Sequence, residues 1–243
     1  MYTFDSRVRY SEIGEDQKLT LYSLVNYFQD CSTFQSESTS RGFQAQKEAG
    51  RAWILASWQI CVNRYPNLGE QIRVSTWPYA FRGFQGSRNY QMTTSEGEIL
   101  AYANSLWVYV DVEKGNMVRI PKEEADAYEL EEKLDMEYAP RRINLPESKT
   151  SKESFTVRKS HLDTNHHVNN AQYIRLAREY VPKEFQENQI RVEYKKQAVR
   201  GDEIFPEVAI ENGVCVVALC DSQENPYAIV EFTGFVDAKG ERK

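Results

Sequence analysis

The feature that most restricts the fold is an internal repeat with almost no identity behind it. Tyr10-Ser-Glu-Ile-Gly-Glu-Asp-Gln-Lys-Leu-Thr-Leu leads into a segment where Leu21, Leu24, Val25 and Phe28 recur at the i, i+3, i+4, i+7 spacing of a buried helix face. Lys159-Ser-His-Leu-Asp-Thr-Asn-His-His-Val-Asn-Asn leads into a second helical segment, expected to carry Tyr173, Ala177, Tyr180 and Val181 on one face. Placing Ser11 on Ser160, an offset of 149 residues, puts Ile13 on Leu162, Leu19 on Val168 and Thr20 on Asn169. Thr and Asn are both favourable N-caps, so the two helices are expected to start at equivalent points.

A run of strands follows each helix. In the first half Ile54, Ala56, Trp58, Ile60 and Val62 alternate with more polar neighbours, and Gly69-Glu70 turns into Ile72–Trp77. In the second half Ile190, Val192 and Tyr194 alternate with charged residues, and Gly201-Asp202 turns into Glu203-Ile-Phe. Further strands are expected over 87–94, 99–112, 213–220 and 227–236. The pattern predicts an α+β fold made of two tandem domains, each a long helix wrapped by an antiparallel β-sheet. The expected boundaries are 1–121 for the first domain, 122–154 for a linker and 155–243 for the second domain. Lys122–Met136 reads as a solvated helix within the linker, with sparse apolar contacts from Ala125, Tyr128, Leu130 and Leu134.

The opening MYTFDSRVRYSEIG has neither a basic n-region nor an apolar h-region, so no secretory signal is expected. The longest apolar candidate, Leu100–Val110, is interrupted by Asn104 and Ser105, so no membrane span is expected. The four cysteines at 31, 61, 215 and 220 form no CxxC pair, which fits reduced thiols in a cytoplasmic protein better than a disulfide framework or a zinc ribbon. A net charge of −6 argues against nucleic acid as the partner.

All three histidines, His161, His166 and His167, lie within seven residues of one another. Zinc would need a fourth ligand and a spacing that this stretch lacks, so no metal is expected. The stretch could also serve only as a turn before a helix cap. The first half has that turn with Gly14, Asp16 and Lys18 at the positions of Asp163, Asn165 and His167, so the turn itself does not require the second set. The alternation Asp163-x-Asn165-x-His167 would place three polar side chains on one side of an extended segment. The N–H groups of Val168–Tyr173 at the following helix start would polarise a bound carbonyl. A carboxylate, an amide and an imidazole beside an oxyanion site suit acyl transfer to water, with ester, thioester and amide substrates all open on residue chemistry alone.

Leu162-Asp-Thr-Asn-His-His-Val-Asn-Asn-Ala-Gln-Tyr resembles the active-site segment of the acyl-acyl carrier protein (acyl-ACP) thioesterase family, in its bacterial-type form. Tyr10-Ser-Glu-Ile-Gly, Val62-Asn-Arg-Tyr-Pro-Asn-Leu-Gly-Glu, Asn104-Ser-Leu-Trp-Val and Ile120-Pro-Lys-Glu-Glu resemble the same family, in its order, over almost the whole chain. The resemblance implies two hotdog domains, a catalytic site in the second, an acyl chain received largely by the first, and hydrolysis of fatty acyl-ACP that terminates fatty acid synthesis. Plant members of the family carry a Glu-Cys pair after a strand that here reads Glu193-Tyr-Lys-Lys, and Gln197-Ala198 stands in its place. A thiol nucleophile there is excluded if that alignment holds, and Cys215 and Cys220 read as apolar core. The principal role then falls to Asp163, as base or nucleophile, with Asn165 positioning the carboxylate or water, His167 assisting proton transfer, and Gln197 and Asn169 in support.

The partners implied are acyl carrier protein and a fatty acyl chain, with a homodimer allowed, and no cofactor beyond the phosphopantetheine that the substrate carries. An acidic carrier needs a basic patch. Candidates are Arg141, Arg142, Lys149, Lys152, Arg158 and Lys159, with Lys195, Lys196 and Arg200 on the facing strand. The helix Leu21–Phe28 and the strand Trp53–Val62 are expected to supply the lining of an acyl tunnel. Two rival readings are an acyl-CoA thioesterase of the hotdog superfamily and a non-catalytic acyl-binding module.

Overall fold

The computed structural model describes residues 1–236, and the chain divides into two compact units. Met1–Ala56 with Val62–Tyr138 forms the first, and Ser57–Cys61 with the chain from Ala139 on forms the second.

In the first unit the elements are β1 (Tyr2–Arg7), α1 (Leu21–Glu37), α2 (Phe43–Glu48), β2 (Arg51–Val62), β3 (Gln71–Arg82), β4 (Gln85–Thr94), β5 (Ile99–Asp111), the short β6 (Asn116–Met117) and α3 (Lys122–Ala125). The strands run in the order β1-β3-β4-β5-β2, with β6 on β5. β3, β4 and β5 pair antiparallel, with Thr76 opposite Tyr90 and Asn89 opposite Asn104. Thr20 caps α1, its Oγ1 accepting the Ser23 N–H at 3.2 Å. The helix faces the sheet with Leu24, Val25 and Phe28, each 0 % exposed. Burial of side chains of that size contributes roughly 1.5–3 kcal/mol each, which is what holds α1 on the sheet.

The second unit contains β7 (Thr150–Ser151), β8 (Phe155–Thr156), α4 (Asn170–Arg178), β9 (Phe185–Tyr194), β10 (Glu203–Glu211), β11 (Val214–Cys220) and β12 (Pro226–Val236). Its strands follow the order β9-β12-β11-β10-β7, with β8 on β10 and the Ser57–Cys61 stretch of β2 beside β9. α4 lies against β11 and β12 through Tyr173, Ile174 and Ala177.

The 149-residue offset holds at the level of single hydrogen bonds. Gly14 N–H donates to Lys18 O at 2.9 Å, and Asp163 N–H donates to His167 O at 2.8 Å. Thr20 N–H reaches Glu12 O, and Asn169 N–H reaches His161 O, both at 2.9 Å. A short 3-10 turn precedes each, Tyr10–Glu12 and Lys159–His161. The expected helix-plus-antiparallel-sheet organisation is therefore present twice.

Three local expectations are corrected. α4 stops at Arg178, so Tyr180 and Val181 lie beyond it. Tyr180 and Val181 make i−3 bonds to Ala177 O and Arg178 O, and Pro182 cannot extend the helix. Second, Lys122–Met136 is helical only at Lys122–Ala125. Beyond Asp126 the segment finds partners on the strands instead: Glu131 N–H donates to Pro78 O at 3.1 Å, and Leu134 N–H to Asn89 Oδ1 at 3.0 Å. Tyr128, expected to be a sparse contact, is buried at 6 % exposure. Third, Ile54 is exposed, whereas 55–60 is buried on both faces, so the assumed alternation fails in β2.

Candidate active site

The segment from Asp163 to His167 is a turn, not the extended stretch that the sequence suggested. Asp163 Oδ1 accepts the N–H of Asn165 at 2.8 Å and of His167 at 3.2 Å. His166 N–H reaches Asp163 O at 3.2 Å, and His166 takes φ 64°, a left-handed conformation that costs a non-glycine residue energy. Its counterpart Gln17 takes φ 62° in the same turn of the first half. The geometry is thus a property of the repeat. In the first half the carboxylate that holds this turn is Asp16, whose Oδ1 accepts the Lys18 N–H at 3.1 Å. In the second half the acceptor has moved to position 163. Among the described residues, no donor reaches Asp163 Oδ2, and the recorded bonds of Asp163 are to backbone, not to the Asn165 or His167 side chains. Asp163 and His167 are half-buried, and Asn165 is exposed.

The neighbouring groups carry structural tasks. His161 Nδ1 accepts the Arg158 N–H at 3.2 Å, as Glu12 Oε2 accepts the Arg9 N–H at 2.8 Å in the first half. Burial and the nearby Arg158 and Arg175 push the His161 imidazolium down, favouring the neutral ring that can accept this bond. Asn169, expected to support the chemistry, is the N-cap of α4, its Oδ1 accepting Ala171 N–H at 2.8 Å. This narrows the expected oxyanion site. Val168 N–H goes to Ala198 O, Asn169 N–H to His161 O and Gln172 N–H to Asn169 O, each at 2.9 Å. Together with Ala171, four of the six N–H groups from Val168 to Tyr173 are engaged inside the chain, and Asn170 N–H sits between them.

The Gln197-Ala198 segment does lie beside the turn. His167 bridges Val199 in antiparallel fashion, and Ala198 O receives the Val168 N–H. Gln197 itself is exposed, with no recorded bond to Asp163. Sequence reasoning missed what fixes this segment. Ala198 N–H donates to Tyr173 Oη at 2.9 Å, and Tyr194 Oη donates to Asn170 O at 2.9 Å. The sequence marks Tyr173 only as a core position on a helix face. Its hydroxyl could not be assigned a partner from spacing, because Ala198 lies on a different element. Asp202 Oδ2 completes the loop, accepting Val199 N–H at 3.0 Å and the Tyr227 hydroxyl at 3.2 Å. Desolvation, reinforced by Asp202, pushes the Tyr227 hydroxyl up to about 12, so it stays a donor at neutral pH.

Of the basic candidates, Lys195 pairs with Glu193 at 2.6 Å, Lys196 with Asp221, and Lys149 with Glu207, which reduces what each offers a partner. Arg158, Lys159 and Arg200 are exposed, and the Gly201 N–H to Val157 O bond at 3.1 Å joins the two segments that carry them. Arg141, Arg142 and Lys152 are exposed as well. The thiols are poor nucleophiles. Cys215 and Cys220 are 0 % and 1 % exposed, and desolvation pushes both up to about 11.

Of the residues expected to line a tunnel, Trp53 lines a pocket of the first unit. Leu21, Leu24, Val25 and Phe28 are ordinary core. That pocket, of about 170 Å³, is also bounded by Phe81, Arg88, Trp107 and Tyr128, among others.

The model of the acyl-ACP thioesterase N-terminal domain matches residues 1–128, and that of the acyl-ACP thioesterase C-terminal domain matches residues 144–229. The chain belongs to the acyl-ACP thioesterase family. Two chloroplastic acyl-[acyl-carrier-protein] hydrolases of Cuphea viscosissima are 29% and 31% identical to it over 211 residues, 79% of this chain and 51% of each relative. The chain thus spans about half the length of the curated relatives it matches. A crystal structure of an acyl-ACP thioesterase from Bacteroides thetaiotaomicron superposes with a TM-score of 0.87 at 20% identity, covering 95% of this chain and 96% of that one. The hotdog-type fold is shared. Ala198 is fully buried with both its N–H and its C=O bonded, so the position is built into the scaffold here.

Proposed function

We propose that this protein hydrolyses the thioester of fatty acyl-ACP, releasing free fatty acid and carrier, with Asp163 as the principal catalytic group. The observation that carries this reading is the contrast between the two copies of one turn. The backbone bonds and the left-handed residue are the same in both, yet the second copy alone has a half-buried carboxylate in place of Gly14, with one oxygen holding the turn and the other free of donors. Oδ1 bound to two backbone N–H groups fixes the direction of Oδ2. Oδ2 can then take a proton from an attacking water, or attack the thioester carbon itself. Asn165 and His167, in the same turn, are the candidates to orient the water and to pass a proton to the leaving thiolate. The Asn170 N–H at the start of α4 is the proposed donor to the oxyanion. A single turnover in ¹⁸O-water tests the nucleophilic mode: an anhydride opened by water at the Asp163 carboxyl carbon leaves label in the protein, whereas base catalysis puts the label only in the released fatty acid.

The carrier is proposed to dock on Arg158, Lys159 and Arg200, an exposed cationic set on joined segments next to the turn. The test is release of free fatty acid from acyl-ACP and acyl-CoA of equal chain length, followed by a panel of chain lengths on ACP. Preference for ACP supports the reading. Preference for CoA moves the protein to a different carrier, and no release from either removes the catalytic reading.

A further inference from the structure

We propose that Tyr194 is a positioning residue for the hydrolysis: its hydroxyl fixes the start of α4, and with it the Asn170 N–H offered to the oxyanion. The role rests on the reading of Asp163 and the α4 start as the reaction site. Tyr194 ends β9, and its Oη donates to Asn170 O at 2.9 Å. The preceding residue is tied as well, since Asn169 N–H donates to His161 O at 2.9 Å. The Asn170 N–H therefore lies between two anchored groups.

The first copy of the turn shows that the fold does not need the Tyr194 bond. After the helices the two copies stay in step at an offset of 132 residues. Leu19 N–H donates to Pro66 O and Val168 N–H to Ala198 O, both at 2.9 Å. Asn67 N–H goes to the Glu70 carboxylate at 2.9 Å, and Val199 N–H to the Asp202 carboxylate at 3.0 Å. On this register Tyr194 stands where the first copy has Val62, and on the helix register Asn170 stands where it has Leu21. Val62 is buried at 7 % exposure, and its side chain has no hydrogen to donate. The neighbouring bond follows the same rule. Tyr173 and Ala198 stand where the first copy has Leu24 and Pro66, a pair with neither a hydroxyl nor an N–H. Apolar side chains thus serve at both places in the copy that lacks the Asp163 carboxylate. The copy that has it carries two phenols instead, their rings meeting edge to face with centroids 6.0 Å apart.

A buried hydroxyl costs desolvation that an aliphatic side chain avoids, and its bond returns only a modest net stability. What it adds is direction. An O–H···O bond sets the distance between two atoms, whereas Val62 packs without tying one atom to another. An oxyanion donor depends on such placement, because a misplacement of about 1 Å can cost on the order of 10²-fold in rate. Desolvation pushes the Tyr194 phenol well above its ordinary value, so it remains a donor at neutral pH.

Tyr194→Phe removes the oxygen and keeps the ring. With acyl-ACP, kcat should fall about tenfold to hundredfold while KM stays within about twofold. Acyl-pantetheine should show the same fall in kcat, because the effect lies at the reacting carbonyl and not at the carrier. Circular dichroism and urea unfolding give the folded fraction under assay conditions. A purely structural role would lower the unfolding midpoint and leave kcat per folded molecule unchanged, and that result overturns the proposal. A rise in KM that accounts for the whole loss overturns it as well. Should the Phe variant not fold, Tyr194→Leu, closer to the aliphatic side chain of the first copy, is held to the same outcomes. The two possible failures can be told apart. If the unaltered protein releases no fatty acid, the reading of the site falls and the role of Tyr194 with it. If it does release fatty acid and Tyr194→Phe keeps its kcat, the role of Tyr194 alone falls.

Discussion

Replacing Tyr173 with Phe removes one oxygen atom and isolates one buried peptide group. Ala198 is 0 % exposed and Tyr173 2 %, and the 2.9 Å bond between Ala198 N–H and Tyr173 Oη is that amide's recorded partner. Phe fills the same space to within a hydroxyl, so the core stays packed and the cost is that of a buried donor left unmade. Such a donor costs about 1–3 kcal/mol, or roughly a fivefold to 150-fold fall in the ratio of folded to unfolded protein. The carbonyl of the same residue accepts the Val168 N–H at 2.9 Å, directly after the Asp163 turn, so loosening Ala198 should also disturb the catalytic geometry. Urea unfolding should show a lower midpoint at unchanged slope. Hydrolysis of acyl-ACP should show kcat reduced about tenfold or more with KM little changed, the signature of a positioning effect. If Tyr173→Phe loses less than about 0.5 kcal/mol and keeps full kcat, the Ala198 bond neither stabilises the unit nor sets the site, and the reasoning fails.

Other consequences can be measured independently. A Cβ on Gly234 would lie 2.0 Å from Gln186 O at the bulge between β12 and β9, so Gly234→Ala should destabilise the second unit by roughly 3 kcal/mol or more, read by thermal unfolding. Thiol labelling at pH 8 should spare Cys31, Cys215 and Cys220 in the native protein, since burial pushes the first up to about 12 and the others up to about 11, and should reach them only after denaturation. Rapid native labelling of Cys215 or Cys220 would reopen a thiol mechanism. Reversing Arg158, Lys159 and Arg200 to Glu together should raise KM for acyl-ACP about tenfold at low salt, with much less effect on acyl-pantetheine; equal effects on both substrates would place the dock elsewhere.

The repeat could be read from the sequence because caps and helix faces are written locally: Thr20 and Asn169 each need only their own first turn, and Leu24, Val25 and Phe28 need only a period. Most strands were legible for the same reason. β1 was not, since Thr3, Asp5 and Arg7 break any apolar run, and what makes it a strand is its pairing with β3, sealed by the Thr3–Ser75 hydroxyl contact at 2.9 Å. The region after Ala125 misled because its composition suits a solvated helix, while Asn89 supplies acceptors that only the folded sheet presents. The shape of the Asp163 turn was hidden for a related reason. Period-two alternation implies extension, but a left-handed residue at His166 and two backbone bonds to Asp163 Oδ1 bend the chain. The identity of the three polar residues was visible, and their arrangement was not.

The central claim is that the second copy of the turn carries the chemistry through the Asp163 carboxylate, and Asp163→Asn tests it most directly. The amide keeps an oxygen at Oδ1 for the Asn165 and His167 N–H groups, so the turn and the unfolding midpoint should be preserved. Single-turnover hydrolysis of acyl-ACP should slow by about 10²–10⁴-fold, the usual contribution of a positioned general base. A folded Asp163→Asn protein that releases fatty acid at close to the unaltered rate would contradict the account.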